Sequence, residues 1–188
     1  LLDARAALEI APRAAELLLE MADVAPVVTC YGNHDRDGDL DIYGKLKGRH
    51  PIYVVRQPTV ITVPEYERHG LPRVSVCVLP YPHLAGLVAN GTAPGDVVAS
   101  AAQLLDNIFM MLGAQLQQAR EAGLPTLFLF HANISGSRSS TGQPLVGQEM
   151  ELTESMLMRL GDCPKIGNHI HLPQEICLFT VAIQTART

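Results

Sequence analysis

The chain lacks several features that would each point to a broad class of proteins. Its 14 Lys and Arg residues are outnumbered by 19 Asp and Glu residues, so it has no basic excess of the kind that nucleic-acid-binding domains carry. No apolar run approaches membrane-spanning length, and no basic segment followed by an apolar one stands at the N-terminus. We therefore expect a cytoplasmic protein with no membrane partner, and any action on DNA must be argued from a site.

Cysteine pairs of the metal-binding or redox kind are also missing, because the four cysteines form no Cys-x-x-Cys motif. Three of the four lie in apolar, strand-like runs, so we expect buried free thiols in a reducing compartment. The chain shows no repeats, and 188 residues that are 47% apolar suit one domain with its own core. It begins at Leu1 without a methionine, so we expect the natural N-terminus to lie upstream.

Apolar patterning predicts an α/β sandwich, because strand and helix signals mix along the chain. Runs rich in β-branched residues predict strands at 26–31, 52–55, 59–63, 74–79, 126–130 and 175–181. Helical spacing of apolar residues predicts helices at 12–22, 96–122 and 153–160. The Ser- and Gly-rich residues 132–148 indicate a surface loop.

Residues 32–35 have the sequence Gly-Asn-His-Asp and directly follow the predicted buried strand 26–31. Open α/β sheets bind ligands beyond the carboxyl ends of their strands, so a polar cluster here faces a cleft. Amide oxygen, imidazole and carboxylate are ligand types that a hard or borderline metal ion accepts. The alternative is a tight turn, because these residue types are common in turns, and the tetrapeptide alone favours neither interpretation.

Histidines stand at two further places that the patterning marks as strand ends or short connectors. His131 ends the strand 126–130. His169 and His171 are two residues apart, so both imidazoles point the same way if the segment is extended. His131 alone matches a core-edge histidine, whereas three ligand-bearing segments in one chain favour a metal site. The histidines next to Pro or Gly are expected to be exposed loop residues: His50, His69 and His83.

In their order, these segments resemble the later motifs of the calcineurin-like metallophosphoesterases, namely GNHD, a lone His and GHxH. Residues 146–154 and 169–174 are similar to the SbcD-type subunit of bacterial DNA exonucleases, whose GHIHxPQ segment matches His-Ile-His-Leu-Pro-Gln here. The resemblance covers nearly the whole chain up to about Gln174. It implies a metallophosphoesterase-type β-sandwich flanked by helices, and a metal-dependent exonuclease or endonuclease of DNA repair and recombination.

The resemblance also implies a site for two divalent metal ions, usually manganese, that clamp both sides of a phosphoester. By the pattern of the family, Asn33, His131 and His169 would hold one ion. His171 would help to hold the other. The implied partners are DNA and, for the full-length protein, an SbcC-like ATPase subunit, with a homodimer left open.

Three further residues receive roles from the same pattern. His34 would stabilise or protonate the leaving oxygen, and Asp35 would orient His34 by accepting its second ring proton. Asp3 matches the final carboxylate of the family's G-D-x-x-D motif and would act behind the metal ligands. The carboxylate that bridges the two metals would then lie just before Leu1.

The chain departs from the family pattern at both ends, so we expect one metallophosphoesterase domain over residues 1–188 that is incomplete at both termini and has no capping domain. The D-x-H motif and the start of G-D-x-x-D are missing, and residues 176–188 do not continue into the family's C-terminal region. Asn168 stands where the family has Gly, and this change could misdirect His169. We therefore predict that this chain binds one metal weakly at most and has no useful catalytic activity.

Two alternatives remain beside the DNA exonuclease. One is another member of the superfamily that acts on nucleotides or phosphomonoesters. The other is a degenerate, non-catalytic copy that serves as a binding or dimerising module, which the missing bridging carboxylate and Asn168 both favour. A structural zinc site is disfavoured, because no thiol stands near the histidines in the sequence.

Overall fold

Helices and strands mix along the chain, as its apolar patterning predicts. In a computed structural model, the described residues are 4–64, 70, 72–83, 97–138, 150–169 and 181–182. Within them the helices are α1 (Ala4–Val24), α2 (Val97–Glu121) and α3 (Glu154–Arg159), with a 3-10 turn at Tyr43–Lys45. The strands are β1 (Val27–Cys30), β2 (Ile52–Val55), β3 (Thr59–Val63), β4 (Val74–Leu79), β5 (Thr126–His131), β6 (Asn133–Ile134), β7 (Glu151–Leu152), β8 (Lys165–Asn168) and β9 (Val181–Ala182).

A mixed sheet of five strands, in the order β3-β4-β5-β8-β9, forms the centre of the described fold. Neighbours from β4 to β9 run parallel, and β3 pairs antiparallel with β4 at one edge. β1 and β2 form a separate parallel pair, and β6 and β7 form another. Because β4, β5 and β8 run parallel, their carboxyl ends lie at one edge of the sheet, where α/β proteins bind ligands.

Alternation of side chains along β4 and β5 gives the five-stranded sheet two apolar faces. On one face, Cys77 and Phe128 lie in a core cluster with the buried residues of α2 and α3. On the other face, Val76 and Val78 cluster with Val55 of β2. The five-stranded sheet therefore packs against helices on one side and against the β1–β2 pair on the other.

Helix α1 covers the remaining face of the β1–β2 pair, where Ala22 packs with Val27 and Ile52. The described elements thus stack in the order α1, the β1–β2 pair, the five-stranded sheet, and helices α2 and α3. Parallel strands need cover on both faces, and this order provides it. The predicted α/β class is confirmed. None of the described helices is both long enough and apolar enough to cross a bilayer.

Most predicted elements are present, with one correction near the N-terminus. Strands β2, β3 and β4 coincide with the predicted segments, and helices α2 and α3 end within one residue of theirs. Helix α1 begins earlier than predicted, and Pro12 lies inside it and not in its first turn. Proline in a helix interior removes one backbone donor, and the prediction assumed that the sequence would avoid this loss.

Strand β8 lies in a segment for which the patterning predicts no strand, because Lys-Ile-Gly-Asn contains only one β-branched residue. Gly167 of β8 pairs with Phe130 of β5, and a Cβ atom on Gly167 would lie 2.2 Å from the Phe130 ring. The ring therefore occupies the place of the missing side chain and supports the strand. The predicted loop 132–148 is also partly wrong, since β6 lies within it and pairs with β7. Most of the strand predicted at 175–181 falls outside the described residues.

The amino end of β8 contains a buried lysine that the structure uses as an anchor. Lys165 is 1% exposed, and its Nζ donates hydrogen bonds of 3.1 Å to the carbonyl oxygens of Gly161 and Cys163. Arg120 of α2 donates a 2.9 Å hydrogen bond to the carbonyl oxygen of Leu160. Two cations thus satisfy backbone carbonyls at the C-terminal end of α3, where the helix dipole favours positive charge.

Candidate metal site

Four strands direct their carboxyl ends to one region, the histidine site, which we define by Asn33, Tyr81, His131 and His169. β5 ends on His131 itself, and His169 directly follows β8. Asn33 and Tyr81 each follow a strand end by two or three residues, after β4 for Tyr81 and after β1 for Asn33. A backbone hydrogen bond of 2.9 Å from the Tyr81 N–H to the Tyr31 carbonyl oxygen joins the two sheets here.

Two contacts of hydrogen-bond length connect three polar atoms of the histidine site, which we call the donor row. Asn33 Oδ1 is 3.1 Å from His131 Nε2, and His169 Nδ1 is 3.3 Å from the same His131 nitrogen. Since an amide oxygen can only accept, a hydrogen on His131 Nε2 satisfies Asn33, with His169 Nδ1 as a second acceptor. In the tautomers that carry the hydrogen on the other ring nitrogen, His131 Nε2 and His169 Nδ1 each offer a lone pair to a metal cation, as Asn33 Oδ1 does.

The separations of these atoms match the edges of a metal coordination shell. Ligands that bind one ion at about 2.1 Å lie about 3.0 Å apart at right angles, and about 3.4 Å apart in a tetrahedron. The observed 3.1 and 3.3 Å lie between these two values. The two separations that involve His131 Nε2 are therefore compatible with an amide oxygen and two imidazoles that bind one divalent ion.

Gly32 explains how the His131 ring comes so close to the backbone that follows β1. A Cβ atom on Gly32 would lie 3.0 Å from His131 Cε1 and 3.2 Å from each ring nitrogen. These distances are below ordinary van der Waals contact, so a larger residue would have to displace the ring by a few tenths of an ångström. Glycine at this position lets the imidazole lie directly against the main chain, next to Asn33.

Tyr81 is part of the histidine site, although the sequence analysis does not predict it. Its ring centroid lies 5.4 Å from that of His169 at a tilt of 34°, and 6.2 Å from that of His131 in an edge contact. His83, which is exposed as predicted, contacts the Tyr81 ring at 4.9 Å. The sequence pattern could have predicted Tyr81 as a site residue, because it follows the buried strand β4 by two residues, just as His131 ends the strand β5.

Asp35 and His34 lie in the turn after β1. Residues 32–35 form a tight turn and also bring Asn33 to the histidine site, so the two interpretations of this tetrapeptide are compatible. The backbone N–H of Gly32 donates a 2.7 Å hydrogen bond to Asp35 Oδ2, and the Asp35 N–H returns one of 3.4 Å to the Gly32 oxygen. The predicted contact from the His34 ring to Asp35 is not among the contacts of the described residues. His34 is exposed, with its side chain available to a substrate.

A cluster of charged and aromatic side chains lies beside this turn. The Tyr31 hydroxyl donates a 2.7 Å hydrogen bond to Asp41 Oδ1, and Arg56, directly after β2, forms a 3.0 Å ion pair with Asp41 Oδ2. Burial raises the pKa of Tyr31, and the hydrogen bond to Asp41 raises it further. Burial also raises the pKa of Cys30, the last residue of β1, to about 12, with a smaller contribution from the negative charge of Asp35.

A cavity of about 330 Å³ lies on the other side of Tyr81. Its walls come from the turn between β2 and β3, the segment after β4, and one face of α2, and they include Arg56, Tyr81, His83, Leu104 and Ile108. The cavity shares Tyr81 with the histidine site, but Asn33, His131 and His169 are not among its lining residues. Its lining has mixed polar and apolar character.

Two predicted site residues, Asp3 and His171, lie outside the described residues. Within the described part of the chain, no three His, Cys, Asp or Glu side chains are grouped so as to hold a metal ion. The histidine site supplies two of that kind, and its third donor is an amide. Asn168 pairs with His131 as an ordinary strand residue, and His169 directly follows it.

His50 is a correction to the sequence analysis. It is only 9% exposed, and its backbone N–H donates a 2.8 Å hydrogen bond to the Ala22 carbonyl oxygen at the end of α1. The proline beside it suggested a loop, and it does lie in one, but the contact with α1 covers that loop. The prediction of exposure for His69 falls outside the described residues.

No protein-family model and no curated protein matches this sequence. We therefore infer function from contacts within the molecule together with the order of the sequence motifs. The most specific contacts join Asn33, His131 and His169, which come from three separate strand ends.

Proposed function

We propose that the chain is part of a metal-dependent phosphodiesterase that acts on DNA, of the kind formed by SbcD-type exonuclease subunits. The observation that supports this proposal is the approach of Asn33 Oδ1, His131 Nε2 and His169 Nδ1 to within 3.1 and 3.3 Å. Their order in the sequence, GNHD, lone His and His-x-His, is the order of the metallophosphoesterase motifs. The layered packing of two sheets between helices is compatible with the sandwich that the resemblance implies.

In this proposal each residue of the site has a defined task. A bound divalent ion, with manganese as the expected one, would polarise the phosphoryl oxygens and offset the negative charge that develops during hydrolysis. Asn33, His131 and His169 hold that ion, and His171 contributes to a second one. His34, exposed beside the site, donates a proton to the leaving oxygen. Asp35 fixes the turn that carries His34, through its bond to the Gly32 N–H.

The charge of the donor set limits what these 188 residues can do alone. Asn33, His131 and His169 are all neutral ligands, and the net charge of −5 gives no general attraction for DNA. Binding of a divalent ion by neutral ligands alone leaves its charge uncompensated. We therefore propose that this chain binds one metal weakly, and that catalysis requires carboxylate ligands in addition to these three residues.

Titration of the chain with Mn²⁺ in a calorimeter tests the metal site. We expect one weak site, lost in His131→Ala and in Asn33→Ala, whereas His83→Ala should bind as the unchanged chain does. His83 is a matched control because it is an exposed imidazole that touches Tyr81 but none of the three donor atoms. Two tight sites on the 188 residues, or equal loss in all three variants, would contradict the proposal.

A second experiment tests the substrate class. The full-length protein should degrade duplex DNA from its ends in the presence of Mn²⁺, and should hydrolyse p-nitrophenyl phosphate far more slowly. Preference for the small phosphomonoester would favour another member of the superfamily. If the protein shows neither activity and binds no Mn²⁺, the non-catalytic module is favoured. The absence of a carboxylate from the described donor set already supports that alternative.

A further inference from the structure

We infer that Tyr31, Asp41 and Arg56 form a positioning cluster that holds the 32–41 segment, and with it Asn33 and His34, in place. The importance of this cluster for metal binding depends on the proposed function. Its effect on the 32–41 segment itself does not, so the two ideas can fail separately. None of the three residues contacts the donor row, which makes them positioning residues and not ligands.

Tyr31 connects the beginning and the end of the 32–41 segment. Its backbone continues β1, with its N–H donating a 3.3 Å hydrogen bond to the carbonyl oxygen of Val55 in β2. Its hydroxyl donates to Asp41 Oδ1 at 2.7 Å and accepts from the Leu40 N–H at 3.2 Å. The side chain that precedes the segment thus binds the two residues that end it, and the segment forms a closed loop.

Arg56 fixes this closed loop to the end of β2. Its guanidinium forms ion pairs with both Asp37 and Asp41, and its central carbon lies 5.6 Å from the centre of the Tyr31 ring. An arginine that stacks on an aromatic ring and pairs with two carboxylates has little freedom to rotate. The loop is therefore held at its middle and its end by one side chain of the neighbouring strand.

Closure of the loop explains how Asn33 can be held against a histidine that is 98 residues away in the sequence. A free loop of this length would sample many conformations, and binding of a metal would have to order it at a cost in affinity. Preordered Asn33 and His34 avoid that cost. The cluster should therefore affect metal affinity more than it affects global stability, because half-exposed ion pairs contribute little to unfolding free energy.

The chain offers a matched control for Arg56 in Arg159. Arg159 forms a 3.0 Å ion pair with Asp106 on the opposite side of the fold, and its side chain is 38% exposed against 40% for Arg56. Arg56→Gln and Arg159→Gln each remove one surface cation. A general effect of charge or of stability would appear in both variants, whereas a positioning effect appears only in Arg56→Gln.

The decisive measurements are Mn²⁺ calorimetry and amide hydrogen exchange without metal. We expect Arg56→Gln to weaken Mn²⁺ binding about tenfold, Arg56→Lys to recover part of that loss, and Arg159→Gln to bind normally. Exchange at the amides of Leu40 and Asp41 should accelerate in Arg56→Gln and in Tyr31→Phe, with no change in Arg159→Gln. Thermal midpoints should stay close to one another in all variants.

Equal Mn²⁺ affinity and equal exchange in Arg56→Gln and Arg159→Gln would overturn the inference. If the unchanged chain binds no Mn²⁺, the metal site proposed for these residues fails and the exchange experiment alone decides. Acceleration confined to residues 32–41 in Arg56→Gln would then still support a positioning role. Acceleration spread over the core, or in neither variant, would refute it.

Discussion

The two ends of strand β8 use polar side chains in opposite ways. At the amino end, the buried Lys165 ammonium is bound by the carbonyl oxygens of Gly161 and Cys163, so its donors are directed at fixed backbone acceptors. At the carboxyl end, His169 meets His131 in a half-buried contact in which both partners are side chains. Only two residues separate Lys165 from Asn168, and over this short strand the polar side chains change from a structural anchor to a candidate site.

The two ends of β8 differ in the hydrogen-bond partners of their polar side chains. Backbone carbonyls at the end of a helix are present in every folded molecule, so a lysine that binds them contributes to stability alone. Side-chain acceptors that share a single proton can exchange that proton for a cation, so their arrangement has a chemical use. Polar burial therefore indicates a site only where the partner atoms are also suited to an external ligand.

Lys165→Ala should give the largest effect and would break the structural end of the strand. It leaves two carbonyl oxygens without their donor and opens a cavity, so we expect a loss of about 3–4 kcal/mol in unfolding free energy. Urea denaturation measures this loss. Lys165→Met fills the volume and should lose clearly less unfolding free energy than Lys165→Ala. Equal losses in the two variants would show that the missing ammonium, and not the cavity, causes the loss.

Gly167→Ala should give the next largest effect, because it acts on the strand between its two ends. The new Cβ would lie 2.2 Å from the Phe130 ring, which would have to leave its place beneath β8. Overpacking of this kind costs about 1–3 kcal/mol. The displacement should also disturb His169, seen as a chemical-shift change of its ring by NMR. Wild-type stability in this variant would refute the packing of Phe130 on Gly167.

Tyr81→Leu should affect the site end with a smaller loss of stability, about 1 kcal/mol, since ring contacts with His131 and His169 contribute at this level. Tyr81→Phe keeps the ring and is the matched control. Ring resonances of both histidines, followed by NMR, should shift in Tyr81→Leu and stay nearly unchanged in Tyr81→Phe. Equal shifts in the two variants would assign the effect to the hydroxyl.

A pH titration should give the smallest effect on stability. It compares Cys30, which lies near the histidine site, with Cys163, which lies near the amino end of β8. The raised pKa of Cys30, about 12 against 9.0, means that the folded state keeps this thiol protonated. Its contribution to stability is therefore complete below pH 9.0 and is lost as the pH rises toward 12. Between pH 7.5 and pH 9.5 the unchanged chain should lose more unfolding free energy than Cys30→Ala does, and the difference should be less than about 1 kcal/mol. Urea denaturation at the two pH values measures both losses.

Cys163, near the amino end of β8, should titrate differently. Burial raises its pKa, but the positive charges of Lys165 and Arg120 oppose that rise, whereas Asp35 adds to the rise at Cys30. Thiolate absorbance of single-cysteine variants should therefore develop at lower pH for Cys163 than for Cys30. The reverse order would show that the cations at the end of α3 do not act on this thiol.

The sequence predicted those parts of the fold in which local preference and burial agree. The β-branched residues of β3 and the apolar run of β4 favour strands by themselves, and the structure adds nothing that contradicts them. Strand β8 could not be predicted, because Gly167 is stabilised by a ring from another strand. Tertiary contacts supply what propensity lacks there, and no pattern within β8 records them.

The candidate site shows the same division. Asn33 and His131 could be proposed as ligands from the sequence, because each follows or ends an apolar strand-like run and together they match the order of the family motifs. Arg56 and Asp41 could not, since they are polar residues near a turn and look like any solvated surface. Their importance depends on pairing across 15 residues of chain, which only the packed structure shows.

The long sequence separations within the donor row connect metal binding with the folding of the chain. Asn33 and His131 are 98 residues apart, and His131 and His169 are 38 apart, so the row is complete only after three distant segments have docked. A ligand that requires all three residues binds the native state and no partly folded one. At a hundredfold excess over its dissociation constant it would add about 2.7 kcal/mol to the unfolding free energy. A metal ion at the candidate site would thus stabilise the fully folded state alone. A rise in the thermal midpoint on addition of Mn²⁺ would measure this stabilisation.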